Sequence, residues 1–293
     1  MEQFMGTGVA LITPFTPNNE VDVEALGRLV EHQVVNGIDY LVVLGTTGES
    51  VTLTTEEKSL VKSTVLKVNN GRLPVVLGLG GNNTENLVRE LEKGDFEGFS
   101  AILSVSPYYN KPSQEGIYQH YKRLAEKSPL PIILYNVPPR TGSNIKPDTA
   151  LRLAADFDNI IGIKEAAGDF EQVQELIGKK PGDFLVISGE DKLALPLVLA
   201  GGAGVISVIG QALANEFSTM IKLGLSGQNK EAYEIFYRLS ESIDLIFQEG
   251  NPSGIKCMLD IMGISNSYVR LPLVPATDEL RQKINIFVSH FKN

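Results

Sequence analysis

Cysteine and histidine are scarce in this chain of 293 residues, and their scarcity excludes several kinds of site. Cys257 is the single cysteine, so an internal disulfide cannot form and the composition fits a reducing compartment. The three histidines, His32, His120 and His290, lie far apart, and no C-x-x-C or H-x-x-H spacing occurs. A metal site is therefore not expected, and Cys257, among apolar neighbours, is expected to be a plain buried thiol.

Basic charge is also in short supply, because 26 lysines and arginines oppose 35 aspartates and glutamates. A formal net charge of −9 without a basic run argues against binding to nucleic acid or to an anionic membrane. A long apolar run is missing as well, since Pro14 and Pro17 interrupt the N-terminal segment, which also lacks the basic start of a signal peptide. The sequence thus predicts a cytoplasmic protein that does not enter a membrane.

What the sequence does contain is a regular alternation of short apolar runs and amphipathic stretches. The apolar runs are nearly continuous, which is typical of strands covered on both faces in a parallel sheet. They begin at Gly8, Tyr40, Leu73, Ser100, Leu130, Asn159, Asp183 and Ala203. Helical patterns separate them, and one opens with Thr54 and Glu57 at capping-box spacing. Eight β-α units of roughly 25 residues each predict an α/β fold of the closed (β/α)8, or TIM-barrel, type.

An open doubly wound sheet is the alternative architecture. Such a sheet usually carries a glycine-rich turn after its first strand, whereas the segment ITPFTPNN has no glycine. After about residue 226 the strand pattern stops, and three helical stretches follow without a low-complexity linker. We therefore expect a catalytic barrel over residues 1–225 and a C-terminal helical appendage over residues 226–293 that packs on the barrel.

Lys164 ends one of the apolar runs, in NIIGIKEAAGDF, although lysine is costly to bury. Barrels of this type carry their active sites at the C-terminal ends of the strands, which is where Lys164 falls. A neutral lysine amine attacks a ketone or aldehyde carbonyl to form a Schiff base, and apolar surroundings favour the neutral amine. The competing interpretation is a lysine paired with a carboxylate, but the adjacent Glu165 should point to the opposite face of the strand.

Other strand ends supply hydroxyl groups suited to proton transfer. Tyr135 follows the fifth apolar run, Tyr109 the fourth and Thr47 the second, in GTTGES. Schiff-base formation moves protons to and from a carbinolamine oxygen, and two phenols linked by a hydroxyl can relay them. Each tyrosine taken alone is also compatible with a half-buried wall position. GTTGES lacks the G-K-[ST] ending of a phosphate loop, and its free backbone N–H groups suit a small carboxylate instead.

Six segments, taken in their order along the chain, resemble the dihydrodipicolinate synthase family, one of the pyruvate-dependent, class I aldolase-like lyases that include N-acetylneuraminate lyase. They are GTTGES, SPYYNKPSQEGIYQHY, YNVPPRTG, GIKEAAGD, ISGED and VRLPLVP, and the resemblance runs from about residue 5 to the C-terminus. It implies a lyase that condenses pyruvate with L-aspartate 4-semialdehyde to 4-hydroxy-tetrahydrodipicolinate, the first committed step of diaminopimelate and lysine biosynthesis. It also implies that no cofactor is needed, because a covalent lysine–pyruvate Schiff base supplies the electron sink.

The same resemblance implies catalytic roles for four residues. Lys164 would form the Schiff base, and Tyr135 would donate and accept protons beside it. Thr47 would link Tyr135 to Tyr109, which would reach in from a neighbouring subunit across a tight dimer. The expected assembly is accordingly a homotetramer, built as a dimer of dimers.

Substrate-binding positions are implied as well. Thr46 and Thr47 would hold the pyruvate carboxylate, and Gly189 and Ile206 would line the site through backbone groups. Arg140 would bind the carboxylate of the aldehyde, and relatives that cleave sialic acid or sugar acids typically lack an arginine here. Two alternatives stay open: an aldolase for N-acetylneuraminate or 2-keto-3-deoxy sugar acids, which Arg140 disfavours, and a non-catalytic 2-oxo-acid-binding sensor, which would not need a proton relay.

A regulatory pocket is the last expectation that the resemblance raises. Many bacterial members are inhibited by lysine at the dimer interface, and Ser50, Asn82 and Tyr108 match positions of that pocket. The histidine and the glutamate that usually complete it are replaced, since the matching positions carry Thr55, Lys58 and Asn86. Because a cationic Lys58 disfavours cationic lysine, we expect weak inhibition or none.

Overall fold

The computed structural model describes residues 1–291 and shows eight parallel strands closed into a barrel. Each strand pairs with the next along the chain, and the first pairs with the eighth. The strands are β1 Gly6–Ala10, β2 Tyr40–Val43, β3 Val75–Gly78, β4 Ala101–Val105, β5 Ile132–Asn136, β6 Ile160–Glu165, β7 Leu185–Ser188 and β8 Gly204–Ser207. All eight overlap the predicted apolar runs, and the predicted (β/α)8 barrel is confirmed.

Helices connect the strands and cover the outside of the barrel. Within residues 1–291 they are α1 Val23–Val35, α2 Thr55–Asn69, α3 Thr84–Lys93, α4 Gln114–Ala125, α5 Pro138–Thr141, α6 Pro147–Asp156, α7 Phe170–Lys179, α8 Ala194–Leu199, α9 Ala214–Leu225, α10 Asn229–Phe247, α11 Ser253–Ile261 and α12 Asp278–Phe291. The predicted capping box is present at α2, where Thr54 Oγ1 accepts from the Glu57 N–H and the Glu57 carboxylate accepts from the Thr54 N–H.

Two helices, α5 and α6, fill the connection between β5 and β6, where the sequence pattern predicted one. The short helix α5 begins with Pro138 and Pro139, which the first turn tolerates because its N–H groups have no partner inside the helix. It ends at Thr141, and Gly142 follows with φ 71°, a left-handed conformation that favours glycine. This arrangement places Arg140 beside the C-terminal end of β5.

Two buried apolar layers result from the alternation of side chains along the strands. Inward-facing residues, among them Tyr135 and Ile206, fill the interior of the barrel. Outward-facing residues, among them Ile163, pack against the surrounding helices. The interior is thus a packed core, and the space for a ligand lies at the ends of the strands.

The C-terminal region consists of the three predicted helices, α10 to α12. α10 packs against α9, and α11 packs against α10 and α12. The division of the chain into regions 1–225 and 226–293 stays a prediction. The last two residues of the second region, 292 and 293, lie outside the described residues. Within residues 1–291, no helix combines the length and the apolar character needed to cross a bilayer.

Candidate active site

Lys164 lies at the C-terminal end of β6 with its side chain turned into the barrel. Its neighbours Ile163 and Glu165 contact the outer layer, so strand alternation directs Lys164 inward. The residue is 5% exposed, and its Nζ lies 4.4 Å from the centre of the Tyr135 ring, directly across on β5. Within residues 1–291, no carboxylate oxygen approaches Lys164 Nζ to within the 4.0 Å of an ion pair.

A buried polar network outside the barrel holds β5 and β6 in register. The Glu165 carboxylate accepts from Asn136 Nδ2 at 2.9 Å and from Gln172 Nε2 at 2.8 Å. Burial raises the pKa of Glu165, and these two hydrogen bonds oppose the rise. Because Asn136 follows Tyr135 and Glu165 follows Lys164, the network fixes the two inward side chains relative to each other.

Gly189, at the end of β7, leaves the space that the Lys164 side chain occupies. A Cβ atom at this position would lie 3.0 Å from Lys164 Cε and 2.6 Å from Ala166 Cβ, closer than packed side chains permit. On the neighbouring strand β8, Ile206 belongs to the apolar interior of the barrel together with Tyr135. Gly189 therefore lies against Lys164, and Ile206 lies on the inner side of the barrel.

Two acidic residues follow Gly189. The Asp191 carboxylate is 2% exposed and accepts hydrogen bonds from the N–H groups of Val208 and Ile209, at 3.1 and 2.9 Å. Burial raises the pKa of Asp191 and of Glu190, whereas the positive charge of Lys164 acts in the opposite direction on both. The lysine is therefore close enough for these carboxyls to respond to its charge.

A cavity of about 660 Å³ opens at the C-terminal face of the barrel. Thr46, Tyr135 and Arg140 line it, so one space contacts three of the predicted site residues. The Arg140 side chain is exposed, and its Nη2 lies 3.4 Å from the Asn251 carbonyl oxygen. The volume is typical of a site for a small molecule.

Thr47 lies deeper than Thr46, in a single 3-10 turn over Thr46–Gly48. It is 3% exposed, and its Oγ1 accepts a hydrogen bond from Asn251 Nδ2 at 2.9 Å. Asn251 lies between α10 and α11, so the C-terminal region contributes directly to the site. The sequence reasoning missed Asn251, and the available signal was the Asn-Pro pair that separates two helical stretches.

Glu49, in the same loop, was also missed. Its carboxylate forms an ion pair with Lys256 of α11, and both side chains are buried. Such a pair ties the loop that carries Thr46 and Thr47 to the C-terminal helices. Glu49 itself adopts a left-handed conformation with φ 51°, which the pair helps to maintain.

Tyr109 is not brought to Lys164 within a single chain. It is 85% exposed, with φ 69°, and its N–H donates to the Thr141 carbonyl at 3.3 Å. Within residues 1–291, neither its hydroxyl nor that of Tyr135 makes a hydrogen bond. The predicted relay, in which Thr47 links Tyr135 to Tyr109, is therefore not closed inside one chain.

The predicted effector positions lie at the outer part of the same cavity. Ser50, Tyr108 and Lys58 line it, and Asn82 Oδ1 accepts from the Tyr108 N–H at 2.9 Å. The other two replaced positions fall in the first turns of α2 and α3, and they are Thr55 and Asn86. Lys58 thus lines this cavity, and the effector pocket itself stays a prediction.

The fold and the residues at its C-terminal face define a (β/α)8-barrel lyase. The chain belongs to the dihydrodipicolinate synthetase family, whose model matches residues 3–291. The resemblance inferred from six short segments is thereby confirmed, and so is the expectation of an enzyme.

Individual relatives agree with this assignment along nearly the whole chain. The 4-hydroxy-tetrahydrodipicolinate synthase of Flavobacterium psychrophilum is 58% identical over 98% of both chains. The crystal structure of dihydrodipicolinate synthase from Thermotoga maritima superposes with a TM-score of 0.96, at 39% identity over 99% of both chains. The chloride-inhibited dihydrodipicolinate synthase from Acinetobacter baumannii, complexed with pyruvate, has a TM-score of 0.95 at 37% identity, covering 98% of this chain and 99% of that one.

Proposed function

We propose that this chain condenses pyruvate with L-aspartate 4-semialdehyde to form 4-hydroxy-tetrahydrodipicolinate, the first committed step of diaminopimelate and lysine biosynthesis. The observation that carries the proposal is Lys164, a buried lysine at the barrel's C-terminal face, beside a tyrosine. Curated relatives named for this reaction, at 43 to 58% identity, support it. The pyruvate bound by the Acinetobacter baumannii enzyme supports the first substrate.

In the proposed reaction, Lys164 Nζ attacks the keto carbon of pyruvate and water leaves to give an imine. Loss of a methyl proton converts the imine to an enamine, whose carbon attacks the aldehyde of the second substrate. The amine of that substrate then displaces Lys164 by transimination and closes the ring. Tyr135 supplies and removes protons, because its phenol stands across from Lys164 on the adjacent strand.

The two carboxylates of the substrates go to different parts of the cavity. The turn that contains Thr46 and Thr47 would take the pyruvate carboxylate through hydroxyl and backbone N–H groups. Arg140, at the mouth, would take the carboxylate of the aldehyde through its planar guanidinium. Within residues 1–291, Arg140 has no ion-pair partner, which leaves that guanidinium available.

The proposed assembly is a homotetramer in which the partner of a tight dimer contributes Tyr109. An aromatic ring that is 85% exposed supports this arrangement, because a second subunit would bury it. The imine on Lys164 acts as the electron sink, so we propose no cofactor. We also place the enzyme in the cytoplasm, in keeping with its single, buried cysteine.

Borohydride reduction in the presence of pyruvate, followed by peptide mass mapping, tests the proposal. We expect the added mass on Lys164 in the wild type, and none in Lys164→Ala. The added mass on a different residue would contradict the mechanism. Trapping on Lys164 without any condensation would instead favour the 2-oxo-acid sensor.

The second substrate is tested with Arg140→Ala. This variant should still trap pyruvate on Lys164 but lose condensation with L-aspartate 4-semialdehyde, because the second carboxylate has lost its partner. Arg140→Lys, which keeps the charge without the fork, is the matched control and should recover part of the activity. Unchanged condensation in Arg140→Ala, or faster turnover of sugar aldehydes by the wild type, would favour the sugar-acid aldolase.

A further inference from the structure

Asn251, in the C-terminal helical region, is hydrogen-bonded to both Thr47 and Arg140. Its Nδ2 donates to Thr47 Oγ1 at 2.9 Å, and its carbonyl oxygen accepts from Arg140 Nη2 at 3.4 Å. The residue is 9% exposed, and Thr47 is 3% exposed, so water does not compete freely for this hydrogen bond. A buried amide thus lies against a hydroxyl of the proposed proton relay.

A second contact fixes Asn251 relative to the loop. Five residues further on, Lys256 binds Glu49, which lies two residues after Thr47. The two contacts join the same two segments side by side. The ion pair therefore holds the backbone around Asn251 close to the loop that carries Thr47.

The direction of the hydrogen bond has a chemical consequence. A threonine hydroxyl carries one proton and accepts through its lone pairs. While Asn251 Nδ2 donates to Thr47 Oγ1, the hydroxyl proton is left for another acceptor. If the amide were turned by about 180°, the Thr47 hydroxyl would donate its hydrogen bond to Asn251 Oδ1 and would have none to donate to the relay. In the orientation that the structure shows, Nδ2 donates to Thr47, and the Oδ1 atom is buried without a hydrogen-bond partner within residues 1–291.

We propose that Asn251 is a positioning residue that makes Thr47 a proton donor toward the interior of the barrel. It does so by occupying a lone pair of Oγ1, and its effect on the reaction is exerted through Thr47. This inference rests on the proposed function together with the expected role of Thr47 as the link between the phenols of Tyr135 and Tyr109. It assigns the C-terminal region a part in the chemistry, in addition to packing on the barrel.

The decisive variant is Asn251→Asp, which keeps the shape but replaces the donor with an acceptor. At neutral pH the carboxylate accepts the hydrogen bond that the Thr47 hydroxyl would otherwise donate to the relay. We therefore expect kcat to fall by about 100-fold. Asn251→Ala leaves the hydroxyl free to rotate, so the fall should be smaller, about 10-fold. The KM for pyruvate should change less than kcat in both variants, because Thr46 and the backbone N–H groups of the Thr46–Gly48 turn still hold the carboxylate.

The pH dependence separates this role from a merely structural one. A protonated carboxyl donates a hydrogen bond as the amide does, so the activity of Asn251→Asp relative to the wild type should rise as the pH is lowered. Asn251→Ala should show no such recovery. In a Thr47→Val background, Asn251→Asp should cause little further loss, because the residue through which it acts is already gone.

Ser253→Ala, two residues after Asn251 at the start of α11, is the matched control. It removes a hydrogen bond of 2.7 Å to the Val274 carbonyl, which is not part of the cavity lining, and should keep kcat unchanged. The inference is overturned if Asn251→Asp is as active as Asn251→Ala at every pH, since Thr47 then donates to Asn251. It is equally overturned if both variants match the wild type. A wild type that does not trap pyruvate on Lys164 would refute the proposed function itself, which is a separate result.

Discussion

Lys256 and Glu49, 207 residues apart in the chain, form an ion pair in which Lys256 Nζ lies 2.5 Å from Glu49 Oε1. The two side chains are 0% and 2% exposed. Lys256 Nζ also donates to the Tyr268 carbonyl at 2.8 Å, and the Arg270 N–H donates to Glu49 Oε2 at 2.9 Å. Burial lowers the pKa of Lys256 to about 8, against the opposing effect of the Glu49 carboxylate. The pair joins the loop that carries Thr46 and Thr47 to the C-terminal helices.

Lys256→Met should lower the free energy of unfolding by about 3–5 kcal/mol, because it leaves the Glu49 carboxylate buried without its partner. The double variant Glu49→Gln, Lys256→Met should lose less, since it buries no unpaired charge. Urea denaturation of the variants measures both values. Lys179→Met, which breaks the exposed pair with Glu175, is the control and should cost less than about 1 kcal/mol. A Lys256→Met loss no larger than this control would show that the buried pair contributes little.

Co-expression of two inactive variants tests whether Tyr109 serves the partner's site. Lys164→Ala removes the nucleophile, and Tyr109→Phe removes the hydroxyl proposed to cross the dimer. In a mixed dimer, one site would combine an intact Lys164 with an intact Tyr109 from the other subunit. We expect recovery of about a quarter of wild-type turnover per chain, since half of the dimers are mixed and one site of each is whole. If Tyr109 acted within its own chain, no mixed dimer would recover activity.

Lysine should inhibit the wild-type enzyme weakly or not at all, because Lys58 lines the outer part of the cavity with a positive charge. Lys58→Ala removes the repulsion and should tighten lysine binding by roughly 5-fold, the effect of one like charge at close range in water. Turnover measured at increasing lysine concentrations gives the inhibition constant of the wild type and of Lys58→Ala. Lys62→Ala, one helical turn further along the same wall, is the comparison variant. Strong inhibition of the wild type by lysine would refute this prediction.

His120 should make the fold less stable at mildly acidic pH. The ring is 4% exposed, Nδ1 lies 2.8 Å from Thr84 Oγ1, and burial lowers the pKa of His120 to about 4. The pKa of a histidine is about 6.5 in the unfolded chain. Above about pH 6.5 the ring is therefore neutral in both states, and its full contribution to the free energy of unfolding is present. It is lost as the pH falls toward 4, by up to about 3 kcal/mol.

The measurement for His120 is the melting temperature between pH 7 and pH 4 in the wild type and in His120→Gln. The variant keeps a polar side chain near Thr84 but cannot take up a proton in this range. Its melting temperature should therefore fall less steeply between pH 6.5 and 4.5. Parallel curves for the two proteins would show that His120 does not titrate in this way.

Much of the fold and part of the site follow from local patterns in the sequence. Continuous apolar runs predicted the eight strands, because both faces of such a strand are buried and its residues do not alternate between polar and apolar. The position of Lys164 at the end of a run, with Glu165 next to it, predicted which of the two faces inward, since successive side chains alternate. The short helix α5 was not predicted, because two prolines are equally compatible with a turn and with a first helical turn.

What only the tertiary structure decided are the contacts between distant segments. Asn251 lies 204 residues from Thr47, and Lys256 lies 207 residues from Glu49. Neither pair is marked by a pattern in the sequence. A contact between distant segments depends on how the folded chain brings them together, and not on the residues next to either partner in the sequence. The sequence by itself therefore determined the barrel and the lysine at its open end, whereas the packing of the C-terminal region against the loop around Thr47 decided that Asn251 and Lys256 contact that loop.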